Sequence, residues 1–153
     1  MRVIAFDVGA RRTGVALSDA SGTLASPLTR LDGADVVEQA VALVTRFAAD
    51  EDGLDAVVVG VPRGLDGRPT DVTARASAFA AALRQRVSVD VIEQDERLTS
   101  IEAESRLASL EKDWRRRKGR LDAAAAAVIL QEFLDQRADE RAATPRATTG
   151  DDA

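Results

Sequence analysis

The strongest constraint on the fold is an N-terminal hairpin, in which two apolar runs are joined by a tight turn. The apolar runs are residues 3–6 and 14–17, within expected strands at 2–8 and 13–19 that the segment Gly9-Ala10-Arg11-Arg12 separates. Such a pattern is typical of two antiparallel strands. Asp7 directly follows the first apolar run. The sequence therefore predicts a sheet that starts with a hairpin and carries an acid near the carboxyl end of its first strand.

The remainder of the chain predicts further strands and the helices that cover them. A third extended stretch near residues 24–31 contains Pro27, which favours an edge of the sheet. Helical and extended patterns then alternate, and Thr70 or Asp71 can cap the second helix. The predicted segments are a helix at 34–49, a strand at 55–61 ended by Pro62, a helix to about Arg86, a strand at 87–92, a helix opened by the capping-box spacing of Thr99-Ser100-Ile101-Glu102, and a helix at 121–137. This order predicts an α/β fold with a five-stranded mixed sheet, three antiparallel strands followed by two parallel ones, flanked by helices.

The length of 153 residues predicts one domain. We assign that domain to residues 1–137 and expect residues 138–153 to form a disordered tail, since its composition offers little to bury. No apolar run approaches the ~20 residues of a membrane span, and the N-terminus has no signal-peptide pattern. We therefore expect a cytoplasmic protein without a membrane partner.

The composition excludes several kinds of active site. The chain contains no histidine and no cysteine, so imidazole bases, Ser-His-Asp triads and thiolate metal sites are ruled out. Catalysis would have to use carboxylates, basic side chains, hydroxyls or a metal ion held by oxygen ligands. The net charge of −5 argues against indiscriminate binding to polyanions, but residues 112–120 carry six basic residues and one acid. That run is either a solvated loop or a surface for nucleic acid.

Acids collect where the predicted parallel strands end. In such sheets the functional crevice lies outside the carboxyl ends of the strands, where Asp7 and the pair Asp95-Glu96 are expected. Asp122 opens the last helix and shares a helical face with apolar residues. Each acid also has an ordinary explanation: a turn cap for Asp7, an ion pair with Arg97 for Asp95 and Glu96, and a helix N-cap for Asp122. As a set they favour a Mg²⁺ site, because a divalent cation neutralises carboxylates that otherwise repel one another.

Four segments of the sequence resemble the signature blocks of one protein family. They are, in order, "FDVGARRTGVALSD", "VVVGVPRGLDG", "DERLTSIEAE" and "RLDAAAAAVILQEFL". The family is YqgF (RuvX), which is similar to the Holliday-junction resolvase RuvC and shares its RNase H-like fold. The resemblance runs from about residue 2 to residue 134, which is nearly all of the predicted domain.

The resemblance implies a metal-dependent nuclease that acts either in 5′-end processing of pre-16S rRNA or as a Holliday junction resolvase. It assigns catalysis and the binding of Mg²⁺ or Mn²⁺ to Asp7, Glu96 and Asp122. Because the strand at 57–61 ends without the acid that RuvC has there, Glu96 is implied to take over that role. Contacts with precursor rRNA or branched DNA are expected from Arg12, Arg97, Thr99, Arg115, Arg116, Arg117 and Lys118. A monomer and a homodimer are both compatible with the sequence.

Two other functions remain open at this stage. Phosphotransferases of the actin and sugar-kinase type also have an Asp-x-Gly hairpin, although they need two such domains with the nucleotide between them. A module that binds RNA or protein could also keep this fold without the chemistry. Binding of Mg²⁺ distinguishes the second alternative from a nuclease, because a scaffold that has lost its site should bind no metal in the millimolar range.

Overall fold

The computed structural model describes residues 1–63, 66–97 and 121–143, apart from the side chains of Arg97, Leu121 and Asp122. Its strands are β1 (Arg2–Val8), β2 (Arg12–Ser18), β3 (Ala25–Asp32), β4 (Leu54–Arg63) and β5 (Asp90–Arg97). Its helices are α1 (Val36–Ala48), α2 (Asp71–Arg86) and α3 (Leu121–Ala143). None of the helices in these ranges is both long and apolar enough to cross a membrane.

The strands form one five-stranded sheet in the order β3-β2-β1-β4-β5. β1 pairs antiparallel with β2, and β2 pairs antiparallel with β3. β1 and β4 are parallel, as are β4 and β5. The predicted mixed sheet is therefore confirmed, and β3, with Pro27, lies at its edge as expected.

The two faces of the sheet have cores of different composition. Ile4, Phe6 and Val8 of β1 point into a core of large residues that includes Phe47 of α1 and Phe79 of α2. The alternate β1 residues, Val3 and Ala5, belong to a second core against α3. Alanine dominates that second core: Ala5, Ala16, Ala56, Ala124, Ala126 and Ala127 are all buried there. The side on which a β1 residue points therefore follows from its odd or even number.

Both parallel strands are longer at their carboxyl ends than the sequence predicted. β4 does not end at Pro62 but continues to Arg63, and β5 starts at Asp90 and extends past Ile92 to Arg97. The last β1 partner of β4 is Gly60, so β4 has an unpaired side beyond it, where a proline is tolerated. Pro62 is paired with Glu96 on the other side. The acids of β5 thus lie within a strand and not after it.

The N-terminus of α2 and the C-terminal part of α3 both follow from their local sequences. Thr70 caps α2 as predicted: its side chain accepts a hydrogen bond from the Thr73 amide, and the Thr73 hydroxyl accepts one from the Thr70 amide at 2.8 Å. α3 continues to Ala143, so the first residues of the predicted disordered tail, 138–143, are helical. Continued helix there agrees with the strong helix-forming residues Ala, Glu and Arg in that segment. The predicted capping box at 99–102 and residues 144–153 lie outside the described residues.

Candidate active site

Asp7 lies near the carboxyl end of β1, on the side of the sheet that α3 covers. Its partner in β2 is Gly14 and its partner in β4 is Gly60, so a glycine flanks it on both neighbouring strands. A cavity of about 410 Å³ opens at this point, lined by Asp7, Gly9, Ala10, Arg11, Arg12, Gly14 and, from α3, Ala125. The absence of a side chain at Gly14 leaves room for this cavity beside the carboxylate. This role of Gly14 could not be predicted from the sequence, because it depends on the pairing register.

The β1–β2 turn brings two arginines to the same cavity. The Gly9 amide donates a hydrogen bond to the Arg12 carbonyl at 2.9 Å. A Cβ atom at position 9 would lie 2.6 Å from that carbonyl oxygen, so the turn needs glycine there. Arg12 also lies near Asp32, with 3.8 Å between Nε and Oδ1. The tight turn therefore makes Arg11 and Arg12 part of the lining of the cavity that Asp7 also lines.

Glu96 lies on the same side of the sheet as Asp7, across strand β4. Two residues earlier in β5, Gln94 donates a hydrogen bond to Gln136 of α3 at 3.1 Å, so this set of alternate residues points toward α3. In the pairing register Gln94 lies directly across β4 from Asp7, and Glu96 lies two residues farther along β5, so the backbones of the two acids are roughly 12 Å apart. The side chain of Glu96 reduces that separation enough for the charge of Asp7 to affect its pKa.

The protonation of both acids is shifted by their surroundings. Burial raises the pKa of the Asp7 carboxyl above its usual range. The pKa of Glu96 is raised to about 8, first by burial and then by the negative charges of Glu132 and Asp7. Burial and neighbouring negative charge thus both disfavour the ionised form of Glu96, and the usual response is proton uptake or a bound cation.

Glu132 is an acid that the sequence analysis missed. It lies on α3, one helical turn before Gln136, and is half-buried. The contact between Gln94 and Gln136 holds that part of α3 against β5 and so brings Glu132 near Glu96. No local pattern in the sequence could have indicated this, because the distance depends on how α3 packs across the sheet.

Asp95 is separated from the other acids by the sheet itself. It follows Glu93, which pairs with Arg84 of α2, so this set of β5 residues points toward α2. The Asp95 carboxylate accepts a hydrogen bond from Arg63 Nε at 3.0 Å. Asp95 therefore forms an ion pair with Arg63, whereas the side chain of Arg97, the partner that the sequence suggested, lies outside the described residues.

The remaining predicted site residues are described only in part. Asp122 is the second residue of α3, and Arg97 is the last residue of β5. The side chains of both lie outside the described residues, as do Thr99, Arg115, Arg116, Arg117 and Lys118. Within the residues that the structure describes, no three acids are grouped closely enough to hold a metal ion. A complete ligand set would require Asp122 in addition to Asp7 and Glu96.

The donor atoms on this side of the sheet are those that Mg²⁺ and Mn²⁺ prefer. They are carboxylate oxygens, in a chain that contains neither histidine nor cysteine. The raised pKa values of Asp7 and Glu96 show that negative charge is poorly compensated by the described residues. A divalent cation would supply the missing positive charge, so the residues present fit such an ion.

Comparison with protein families gives one match over nearly the whole described chain. Residues 1–136 match the family described as "RuvX: Holliday junction resolvase". A protein of Chloroflexus aurantiacus is 42% identical over 138 residues, which are 88% of this chain and 87% of the relative. A protein of Halalkalibacterium halodurans is 36% identical over 136 residues, which are 89% of this chain and 97% of the relative. Both relatives carry the name "Putative pre-16S rRNA nuclease".

Solved structures share the fold at much lower sequence identity. Thermus thermophilus RuvC, determined in complex with a Holliday junction substrate, superimposes with a TM-score of 0.54 and 18% identity, covering 90% of this chain and 96% of that protein. The fowlpox virus resolvase in complex with Holliday junction DNA gives a TM-score of 0.51 and 11% identity, covering 94% and 100%. The RNase H-like fold that the sequence predicted is therefore confirmed.

Proposed function

The chain belongs to the RuvX family of nucleases, and from that premise we propose that it is a metal-dependent nuclease that matures the 5′ end of pre-16S rRNA. The proposal rests mainly on one observation, which is that Asp7 and Glu96 lie on one face of the sheet, close enough for the charge of Asp7 to help raise the pKa of Glu96. The names of the relatives at 36–42% identity favour precursor rRNA as the substrate.

We assign the metal to Asp7, Glu96 and Asp122. Mg²⁺ or Mn²⁺ bound there would activate water and stabilise the negative charge that develops on the phosphodiester. The protein's own contribution begins with position: β1 and β5 hold the first two carboxylates on either side of β4, and the first turn of α3 carries the third. Glu132 lies behind Glu96 and adds negative charge, which strengthens the attraction for a cation.

Basic side chains would hold the nucleic acid against these acids. Arg12 lines the cavity beside Asp7, where its guanidinium can donate hydrogen bonds to a backbone phosphate. Arg97, Thr99 and the basic run Arg115, Arg116, Arg117 and Lys118 stay predicted contacts with the same substrate. A nuclease that acts on precursor rRNA would work in the cytoplasm, and it could do so as a monomer or as a homodimer.

Resolution of Holliday junctions is the second candidate, because the family carries that description. The two functions differ in substrate and share the acids. A direct comparison would use two labelled substrates, a precursor 16S rRNA fragment that spans the mature 5′ end and a four-way DNA junction, each with Mg²⁺. We expect cleavage of the rRNA near the mature end. Cleavage of the junction alone would replace the proposed substrate, and cleavage of neither would contradict the nuclease assignment.

The acids are tested by substituting Glu96 and Asp7, with Asp95, the neighbour of Glu96 in β5, as the matched control. Glu96→Gln and Asp7→Asn should each lower the cleavage rate by about a hundredfold or more, because each removes a charged oxygen ligand. Asp95→Asn removes the same charge one residue away but on the opposite side of the sheet, so it should cleave like the wild type. Equal losses in the Glu96→Gln and Asp95→Asn variants would show that the loss comes from strand β5 and not from the site.

A further inference from the structure

A second cavity lies on the opposite side of the β1–β2 turn from Asp7. Its volume is about 290 Å³, and it opens between the turn, the first turn of α1 and the exposed side of α2. It is lined by Val8, Gly9, Ala10, Arg11, Thr13, Gly33, Val36, Val37, Arg75, Ala78 and Phe79. Nothing in the family resemblance or in the proposed active site uses this cavity.

The charge of this lining is entirely positive. Arg11 and Arg75 are its only charged residues, one on the turn and the other on α2. Both are exposed, and among the residues that the structure describes neither has a carboxylate partner, whereas Arg63, Arg68, Arg84 and Arg86 each have one. Two such arginines at one cavity, in a chain of net charge −5, are complementary to an anion.

The rest of the lining suits the other parts of a nucleotide. The apolar part of the lining comes from Val36, Val37, Ala78 and the largely buried Phe79. A sugar or a base can lie against such a surface without any hydrogen bond that would select a sequence. The cavity therefore combines a phosphate-binding rim with an apolar floor.

The two cavities are neighbours. Gly9, Ala10 and Arg11 line both of them, so only the thin backbone of the turn separates the Asp7 cavity from the second one. A nucleic-acid strand bound at Asp7 could pass over the turn and enter the second cavity within a nucleotide or two. A duplex is too stiff to bend so sharply, since its persistence length is about 150 base pairs, whereas a single strand can follow the turn.

We propose that this second cavity binds a nucleotide of the single-stranded segment adjoining the cleavage site, with its phosphate held by Arg11 and Arg75. The inference rests on the proposed nuclease function and adds a requirement for a single-stranded flank. It assigns substrate binding to Arg75, on the face of the sheet that carries no catalytic acid.

The test uses a fluorescein-labelled single-stranded RNA of about twelve nucleotides, with Ca²⁺ in place of Mg²⁺ so that binding is measured without turnover. Arg75→Ala should weaken binding about tenfold, the usual effect of losing a charge-assisted hydrogen bond. It should also reduce the slope of log affinity against log salt by about 0.7, the value for one phosphate contact on a single strand. Arg46→Ala is the matched control, since Arg46 is an exposed arginine in the last turn of α1, away from the cavity.

The outcomes separate the two proposals. If the wild type binds and the Arg75→Ala and Arg46→Ala variants bind equally well, the cavity inference is wrong while the nuclease proposal stands. If the wild type neither binds nor cleaves nucleic acid, the proposed function itself fails. Displacement of the RNA by micromolar adenosine monophosphate, with loss of that displacement in Arg75→Ala, would make the cavity a site for free nucleotides and overturn the inference.

Discussion

At the scale of single residues, the environment of Asp7 is determined mainly by the two glycines that flank it, because they have no side chains. Gly14 and Gly60 flank it in the pairing register, and burial raises the pKa of its carboxyl. A side chain at position 14 would project to the same side of the sheet as Asp7, since Ala16, two residues on, belongs to the core against α3.

Gly14→Val should therefore reduce catalysis without harming the fold. Valine suits a strand better than glycine, so the melting temperature should be equal or higher. Its methyl groups would occupy the cavity beside Asp7 and displace substrate, and a misplacement of about 1 Å costs on the order of a hundredfold in rate. Cleavage rate and thermal unfolding measured together test this. A variant that is both stable and fully active would remove the cavity from the site.

The acids also show how far the residues could be predicted from sequence. The convergence of strand ends in a parallel sheet predicts that Asp7 and Glu96 lie near each other, and the structure has both on the α3 side of the sheet; their catalytic role stays a prediction. Apart from the family resemblance, the residues themselves did not distinguish Glu96 from Asp95. The face on which each lies depends on the pairing of β5 with β4, and β5 extends farther than its apolar pattern. Glu132 could not be found at all, since its approach to Glu96 is a result of tertiary packing.

At the scale of secondary-structure elements, the packing of α3 on the sheet controls the site. A Cβ atom at Gly60 would lie 2.5 Å from Ile129 Cδ1 and 3.3 Å from its Cγ1. Gly60 is thus the point at which α3 touches β4, one strand away from Asp7. The sequence predicted both elements, but it contained no signal for this contact because residues 60 and 129 are far apart in the chain.

This contact can be tested with a double-mutant cycle. Gly60→Ala should destabilise the protein by about 1–3 kcal/mol, the usual cost of an extra methyl group in a packed core. Ile129→Val removes the clashing Cδ1 atom and should recover part of that loss in the double variant. Denaturant unfolding of the four proteins gives the coupling energy, which should be at least about 0.5 kcal/mol. Strict additivity would mean that the cost of Gly60→Ala does not come from the contact with Ile129 Cδ1.

At the scale of the whole molecule, the clustered acids make stability depend on pH. The pKa of Glu96 is about 8 in the folded protein and near 4.5 when unfolded. Between these values the folded state binds the extra proton, so the free energy of unfolding falls as pH rises through this window. The raised pKa of Asp7 acts in the same direction.

Glu96→Gln should remove the contribution of Glu96 to the fall in the free energy of unfolding with rising pH. Without metal, the variant should be more stable than the wild type at pH 8 by on the order of 4 kcal/mol, given about 1.4 kcal/mol for each pKa unit between 4.5 and about 8, and the difference should shrink toward zero at pH 4 to 5. Mg²⁺ should stabilise the wild type more than the variant at pH 8. Urea unfolding at the two pH values measures this. A variant less stable than the wild type at pH 8 would contradict the origin of the pKa shift.

The alanine layer under α3 has a consequence for how sequences of this fold can vary. Six buried alanines separate that helix from the sheet, whereas the opposite core contains phenylalanine, leucine and valine. Large side chains can exchange for others of similar volume, whereas almost every substitution of a buried alanine adds side-chain volume. Saturation mutagenesis should thus find one permissive side and one intolerant side. This alanine layer sets the distance between the sheet and the helix that carries Asp122. The geometry of the catalytic acids would therefore depend on residues that take no part in the reaction.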